Sequence, residues 1–383
     1  MSKLLNLLKA PPKKDFANLS QWELISLRFG KHRLAYISLY IIISLYAIAV
    51  FAEFFCTNDP LKKNPSCIYN PPMLPAYTFK DGLHTKALYQ YIDPITVQKK
   101  YITETDHIIP LGFFVKGEPY KLWGTLSLER RFFGIDSEKY NRLKGTKVGA
   151  AELPSLYLLG ADQQGRDLFS RLITGSRISL SIGLFSIVIS FILGVSIGGI
   201  SGYFGGWMDI GIQRIIEVIN AFPKLPLWLA LGFALPRSWS SLHIYFGITI
   251  ILSLMGWTGL ARVVRGKILS LREEDYAVAA RLMGASHTRI IFAHLVPGFT
   301  SHIIVSITMT VPGMILGETS LSFLGLGLQP PTISWGVMLQ DCMSMQIVKN
   351  YPWLLMPVIF IITTVMSFNF AGDGLRDAAD PYS

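Results

Sequence analysis

The chain has 383 residues, of which 51% are apolar and only 16% charged, and its mean hydropathy is +0.40. Water-soluble domains seldom have this composition, so the sequence predicts a membrane protein. The net charge of +10 does not indicate nucleic-acid binding, because the Lys and Arg residues gather beside hydrophobic segments. The three cysteines lack the CxxC spacing or the neighbouring histidines of a metal site, so no metal site is predicted.

Six apolar runs are long enough to cross a hydrocarbon core about 30 Å thick, which needs roughly 20 helical residues. A basic segment, residues 1–33, precedes the first run and is predicted to be a cytoplasmic tail by the positive-inside rule. Because this lead is too long for an ordinary cleaved signal peptide, we interpret the first run as a permanent anchor. The predicted helices are 34–55, 178–200, 212–235, 243–261, 299–323 and 353–371.

A long, mostly polar insertion separates the first two predicted helices. Residues 56–175 contain no spanning run and are predicted to lie outside the cytoplasm, since long loops translocate largely regardless of their charge. The sequence does not indicate the fold of this insertion. An extracytoplasmic location would permit a disulfide between Cys56 and Cys67, and packing of two free thiols is the alternative.

Three arginines oppose the charge rule, because they precede the second helix on its outer side: Arg166, Arg171 and Arg177. We expect a short amphipathic helix over residues 166–175 that lies in the membrane interface. Its arginines would either reach lipid headgroups or pair with Asp162 and Asp167.

The strongest orientation signal follows the fourth predicted helix. A short segment there carries six basic residues and is therefore predicted to be cytoplasmic: Arg262, Arg265, Lys267, Arg272, Arg281 and Arg289. The alternation of sides then places the tail 372–383 in the cytoplasm as well. The predicted fold is an all-α membrane protein with both termini cytoplasmic, a five-helix core over 176–371 and a large outer insertion.

Charged residues and a proline lie in the predicted spans. Pro223 must kink or break the third helix, and broken helices at membrane depth often line a pathway. Glu217, Lys224 and Glu318 are predicted to contact substrate or form a gate, because a charge inside a membrane is expensive. Structural pairing is the alternative, since Arg214 lies three residues from Glu217.

The cytoplasmic segment 273–298 is predicted to form two short helices. Its first turn is acidic, which suits a helix N-terminus, and Ala279 and Ala280 are good helix formers. Gly284 and Ser286 favour a break between the two helices, and Pro297 is predicted to end the second.

This segment resembles the cytoplasmic "EAA" signature of permease subunits in bacterial ABC importers, and the peptide branch fits best. The departures from the pattern of that branch are Val278, Ala293, Val296 and Gly298. Segments 159–167, 202–209, 321–327 and 374–381 resemble further motifs of the same branch. The matching residues are Tyr276, Ala279, Ala280, Arg281, Gly284, Ala285, Ser286, Arg289, Ile290, Ile291, His294 and Pro297.

The resemblance implies a C-type permease of a dipeptide, oligopeptide or nickel importer, with the type I ABC importer permease fold, in the bacterial inner membrane. The long insertion is similar to that of the microcin C/peptide subgroup. In such importers the segment is a coupling helix in a groove of the ATPase, and Ala280 and Gly284 would share a docking face. The implied coupling residues are Glu274, Tyr276, Ala279, Ala280, Arg281, Gly284, Ser286, Arg289, His294 and Pro297.

The family also implies partners: a homologous second permease, two cytoplasmic ATPases and an extracytoplasmic solute-binding protein, all working in membrane lipid. The chain has no Gly-x4-Gly-Lys-Ser/Thr loop, so it is expected to be no enzyme and to bind no cofactor, with ATP and Mg used by the ATPases. An ion-coupled secondary transporter is the main alternative, and it would need no coupling helix. A non-transporting scaffold or channel is the second.

Overall fold

A computed structural model describes residues 21–92, 94, 99–145, 153–236 and 238–380. Within these ranges five helices are long and apolar enough to cross a membrane, and the count is six if a bent helix pair is taken as one broken span. These agree with the six predicted runs, although most helices are longer than predicted. Most of the predicted N-terminal tail, residues 1–20, lies outside the described residues.

The helices are α1 Gln21–Lys31, α2 Arg33–Val50, α3 Ala52–Phe55, α4 Ser137–Lys144, α5 Leu168–Phe204, α6 Gly206–Ala221, α7 Lys224–Phe233, α8 Ser241–Leu271, α9 Asp275–Leu282, α10 His287–Arg289, α11 Thr300–Thr308, α12 Val311–Phe323, α13 Trp335–Leu339, α14 Met345–Asn350 and α15 Met356–Ala379. The strands are β1 Ala76–Thr78, β2 Gly82–Ile92, β3 Lys99–Leu122 and β4 Leu126–Ile135.

Helices α5 and α8 form the closest packed pair of the bundle. Glycines on α5 let the two backbones approach, as the small-residue pattern of this run indicates. A Cβ atom on Gly198 would clash with the carbonyl oxygen of Ala261, and one on Gly202 would lie 2.8 Å from that of Arg265. Larger residues at these positions would therefore push the helices apart.

The third span is broken where the sequence predicts it. Helices α6 and α7 meet at Phe222 and Pro223 with a bend of 85°. Proline cannot donate the backbone hydrogen bond that a continuous helix would need there. The break leaves Lys224 as the first residue of α7.

No separate amphipathic helix precedes α5, so that expectation is wrong. Asp167 caps α5 by accepting hydrogen bonds from the backbone N–H groups of Phe169 and Ser170, and the helix then runs unbroken into the bundle. Arg166 and Arg171 are buried and do not reach headgroups. A buried guanidinium needs a nearby carboxylate, and the Nε atoms of both lie 2.7 and 3.4 Å from Asp162 Oδ2, which confirms the predicted pairing with Asp162.

The third of these arginines also has a protein partner. The guanidinium of Arg177 donates two hydrogen bonds of 2.7 Å to the Glu53 carboxylate and further ones to the carbonyl oxygens of Ala49 and Val50. This bidentate pair fixes the C-terminal end of α2 against α5.

The insertion, for which the sequence predicts no fold, contains a four-stranded antiparallel sheet in the order β1-β2-β3-β4. The sheet has its own core, separate from the bundle, formed by Met73, Ile109, Leu111, Ile135, Leu156, Tyr157 and Ala161. Long strands pair here because alternate side chains can face that core while the others face water.

The proposed disulfide is absent, and Cys56 and Cys67 are both free thiols. Cys56 is buried, with its sulfur 3.4 Å from the carbonyl oxygen of Ser170. The packing alternative therefore applies to Cys56.

Candidate functional site

The segment that follows α8 has the predicted helix-break-helix form. Helix α9 ends at Leu282, and Gly284 adopts a left-handed backbone with φ of +83°. Only glycine takes up this conformation without strain. Ser286 then caps α10, because its hydroxyl accepts a hydrogen bond from the backbone N–H of Arg289.

One face of α9 is buried in the core of the chain itself. Ala277 and Ala280 are 2% and 4% exposed and pack in one cluster with Ile268, Ile290 and Ile291. The predicted docking face of Ala280 and Gly284 is therefore wrong for Ala280. Its small side chain lets α9 lie close against the helices below it.

The opposite surface of the segment is apolar and exposed. Leu282 and Met283 are 82% and 81% exposed at the end of α9, and Tyr276 is partly exposed beside them. A Cβ atom on Gly284 would meet nothing within 4 Å, so the turn itself is open. Sequence reasoning missed Leu282 and Met283, although two large apolar residues before a helix-ending glycine were a signal.

Cationic side chains surround this apolar surface. Arg281 and Arg289 are exposed and form no ion pair within the part of the chain that the structure describes. The predicted residues Glu274, Ala279 and His294 are exposed as well. The segment thus presents an apolar centre with free positive charges around it, which is typical of a protein contact surface.

The segment continues directly into the fifth span, so the prediction that Pro297 ends its second helix is wrong. After α10 the chain forms a π-helical turn, Ile290–Leu295, and a 3-10 turn, Val296–Phe299, before α11. The wider π-helical turn and the tighter 3-10 turn allow the chain to remain helical on both sides of Pro297. The whole stretch His287–Phe323 is one candidate span.

Arg272 ties the segment to the bundle on its other side. Its Nη1 atom donates hydrogen bonds of 3.1 Å to the carbonyl oxygens of Gly202 and Tyr203 at the end of α5. Its Nε atom lies 3.0 Å from Glu273 Oε1. The surface around Met283 is therefore fixed to two transmembrane helices.

A cavity of about 390 Å³ lies beside the break in the third span. Thr258 of α8 donates a hydrogen bond of 3.2 Å to Asn220 Oδ1 at the end of α6, which holds one wall together. Two cationic side chains line the cavity and no carboxylate does. The lining residues include Asn220, Lys224, Trp228, Thr258, Arg262, Met309 and Met314.

The four predicted pathway residues do not come together. Lys224 lines the cavity and Pro223 creates the break beside it. Glu217 is exposed and pairs with Arg214 at 2.7 Å, as the alternative interpretation expected. Glu318 lies elsewhere, fully buried in α12.

Glu318 accepts hydrogen bonds from three serine hydroxyls. Ser179 of α5 donates at 3.1 Å, Ser322 of α12 at 2.9 Å, and Ser334 at 2.8 Å. Such a buried, fully paired carboxylate holds the surrounding elements together. Among the described residues, no group of three or more His, Cys, Asp or Glu side chains could hold a metal ion.

Comparison with known families gives two matches. Residues 190–382 match the family described as binding-protein-dependent transport system inner membrane component. Residues 20–72 match the N-terminal transmembrane domain of oligopeptide transport permease C.

Several curated proteins are similar over more than half of the chain. The oligopeptide permease OppC of Bacillus subtilis is 41% identical over 58% of this chain and 70% of its own length. The dipeptide permease DppC of the same organism is 42% identical over 58% and 68%. The glutathione permease GsiD of Pectobacterium atrosepticum is 39% identical over 59% and 73%.

Among solved structures, a chain of the inward-facing methionine ABC transporter MetNI matches with a TM-score of 0.43 and 17% identity. The match covers 54% of this chain and 96% of that one.

Proposed function

Because the chain belongs to the family of binding-protein-dependent transport system inner membrane components, we propose that it carries peptides or similar small substrates as a permease of an ABC importer. It is a multi-pass protein of the bacterial inner membrane. The names of its relatives, which refer to oligopeptides, dipeptides and glutathione, support this substrate class. The observation that carries the proposal is the exposed turn at Met283, which continues into a transmembrane helix.

The importer would contain a homologous second permease, two cytoplasmic ATPases and an extracytoplasmic binding protein. ATP and Mg would be used by the ATPases, since this chain has no phosphate-binding loop. In this arrangement residues 1–33 and 372–383 are cytoplasmic, and the core 176–371 contains the coupling loop 273–298.

The coupling segment would act as a rigid lever, a unit in which α9 and the fifth span move together. Leu282 and Met283 enter an apolar groove of the ATPase, while Arg281 and Arg289 pair with acids on its rim. Because Ala280 is packed on Ile291 of the continuous stretch His287–Phe323, a displacement of α9 moves the fifth span with it. Nucleotide-driven closure of the ATPases would thereby change the transmembrane pathway.

Met283→Glu tests this lever. A charge at the centre of an apolar contact costs about 2–4 kcal/mol of binding free energy, so ATPase co-purification and ATP-dependent peptide uptake should both fall strongly. Gly284→Arg is a poorer test, because a side chain strains the backbone at φ of +83°.

Met345→Glu is the matched control, because Met345 is also 81% exposed but lies between the fifth and sixth spans, outside the coupling segment. It should assemble and transport normally. Unchanged assembly and uptake in Met283→Glu, at equal expression, would refute the coupling surface and favour the ion-coupled secondary transporter.

The cavity at Lys224 supplies the second part of the proposal. It lies where the third span breaks, and its lining comes from four transmembrane elements, α6, α7, α8 and α12. Unpaired Lys224 and Arg262 would contact the carboxylates of a passing peptide.

The third part of the proposal concerns the insertion. Its sheet has a separate core and extends from the outer end of α2, where it can contact an extracytoplasmic binding protein. This would give the permease a receptor-facing surface that the bundle alone lacks.

A further inference from the structure

The β3–β4 hairpin lies along the outer end of the first span. Its base pairs Leu111 with Ile135, and its tip pairs Leu122 with Leu126. Halfway along, the ring of Phe132 lies 6.0 Å from that of Phe54 and 5.2 Å from that of Phe55 in α3.

The tip reaches the last residue of the transmembrane helix. The indole Nε1 of Trp123 donates a hydrogen bond of 2.8 Å to the carbonyl oxygen of Val50, and its ring lies 5.7 Å from that of Phe51. Phe54 and Phe55 come after Val50 along the chain, so the hairpin descends from α3 towards the end of α2. Its direction is towards the membrane.

The contact with Val50 fixes the depth of the tip. Helix α2, Arg33–Val50, is apolar and long enough to cross the hydrocarbon core, so Val50 lies at its outer boundary. Tryptophan is enriched at this boundary, where its ring is apolar and its N–H can find a polar partner. Trp123 fits this pattern, because its apolar ring is exposed and its N–H donates to the carbonyl oxygen of Val50.

The tip is apolar on the surface that faces away from the protein. Leu126 and Leu128 of β4 lie on one face of the strand because they are two positions apart, and both are exposed. Lys121 lies beside the tip and is also exposed, which suits lipid phosphates. The exposed apolar side chains at the tip and at the adjoining end of the first span are Val50, Phe51, Trp123, Leu126 and Leu128.

We propose that this hairpin tip, residues 121–128, docks into the outer leaflet of the membrane. Trp123 and Leu126 lie among the headgroups and first acyl carbons, and the exposed side chains lose their contact with water. Lipid is the occupant because α2 is peripheral: a smaller part of it is buried than of any of the other four long spanning helices that the structure describes. Because the hairpin tip contacts the end of this lipid-exposed helix, the tip faces lipid as well.

The anchor has a mechanical consequence. The insertion is held at its tip by lipid and Val50, and at its base by the core around Leu111, so it keeps one orientation over the pathway. Docking of the tip into lipid requires only that the chain spans the membrane, and it does not depend on the substrate.

The test places a nitroxide label on Leu126→Cys in the assembled importer, in nanodiscs of phosphatidylethanolamine and phosphatidylglycerol. Leu126 is 54% exposed, so the label does not displace a buried side chain. Collision rates with dissolved oxygen, which partitions into lipid, and with a water-soluble nickel chelate are then compared. Label uptake by the unsubstituted chain gives the background from its own thiols.

Phe79→Cys is the matched control, because Phe79 is a fully exposed aromatic residue in the turn between β1 and β2. We expect the oxygen-to-chelate ratio at residue 126 to exceed that at residue 79 by about tenfold, as the chelate is excluded from the bilayer. Equal ratios would place the tip in water and overturn the proposal. Protection of residue 126 from both reagents would show that a protein covers the tip, and would also overturn it.

Discussion

Lys224 and Arg262 are the cationic residues of the cavity at the broken third span. Neither forms an ion pair within the described ranges, and no carboxylate lines the cavity. An unpaired charge on a helix of a transmembrane bundle is stable only where water or a substrate can reach it. Their position therefore favours contact with negatively charged groups of a peptide.

Lys224→Glu should change which peptides pass through the importer. The new carboxylate repels acidic peptides and attracts basic ones, so the ratio of acidic to basic peptide uptake should fall about tenfold. Uptake into proteoliposomes, with each peptide supplied on saturated binding protein, measures this ratio. Lys349→Glu makes the same change of net charge outside the cavity and should leave the ratio unchanged. An active Lys224→Glu importer with the wild-type ratio would exclude contact at this residue.

Local chemistry made some of these residues predictable. Gly284 and Ser286 follow from backbone preferences of single residues, and the structure has the turn and the cap there. The burial of Ala280 and the exposure of Met283 depend on which face of α9 packs on the bundle. That choice is made by tertiary contacts, which one sequence does not reveal.

Glu318 acts at the scale of whole elements. Its three serine partners come from α5, from α12 itself and from the chain just before α13. The Ser179 hydroxyl also accepts a hydrogen bond of 3.1 Å from the backbone N–H of Trp335. One buried carboxylate thus joins two transmembrane helices to the segment between the fifth and sixth spans.

Glu318→Ala should lower the stability of the permease. It leaves three buried hydroxyls without an acceptor, at a cost of about 1–3 kcal/mol for each group that finds no other partner. The thermal midpoint of the purified importer should fall clearly, and less so in Glu318→Gln, which keeps an acceptor oxygen. Glu217→Ala removes an exposed pair and should have little effect. Loss of uptake with an unchanged midpoint would instead support the gate that the sequence suggested.

Elements differ in how far the sequence predicts them. The break at Pro223 was predictable because a proline acts on its own turn, whereas Pro297 lies in a path that π-helical and 3-10 turns keep helical. The sheet of the insertion was not predictable, since β2 and β3 pair residues as distant as His84 and Pro110. Pairing of that kind depends on a shared core and not on local pattern.

Among the described residues, the core of the sheet is separate from the hydrophobic clusters of the transmembrane bundle. The sheet and its core meet the bundle through α3, the tip at Trp123 and polar contacts such as Thr57 Oγ1 to Asp167 Oδ2 at 2.8 Å. The bundle clusters contain no residue of the four strands. The bundle should therefore fold without the sheet.

Replacing residues 76–135 with a flexible Gly/Ser linker separates the roles of the two cores. We expect the shortened chain to assemble with its ATPases, because α9 and the fifth span are unchanged, while its affinity for the binding protein falls at least about tenfold. Co-purification measures the first quantity, and titration of labelled binding protein onto nanodiscs measures the second. Wild-type receptor affinity in an assembled importer would refute a receptor role for the sheet.

Leu126→Glu offers the complementary case: it disturbs only the lipid-facing tip, so receptor affinity should persist while the tip leaves the membrane.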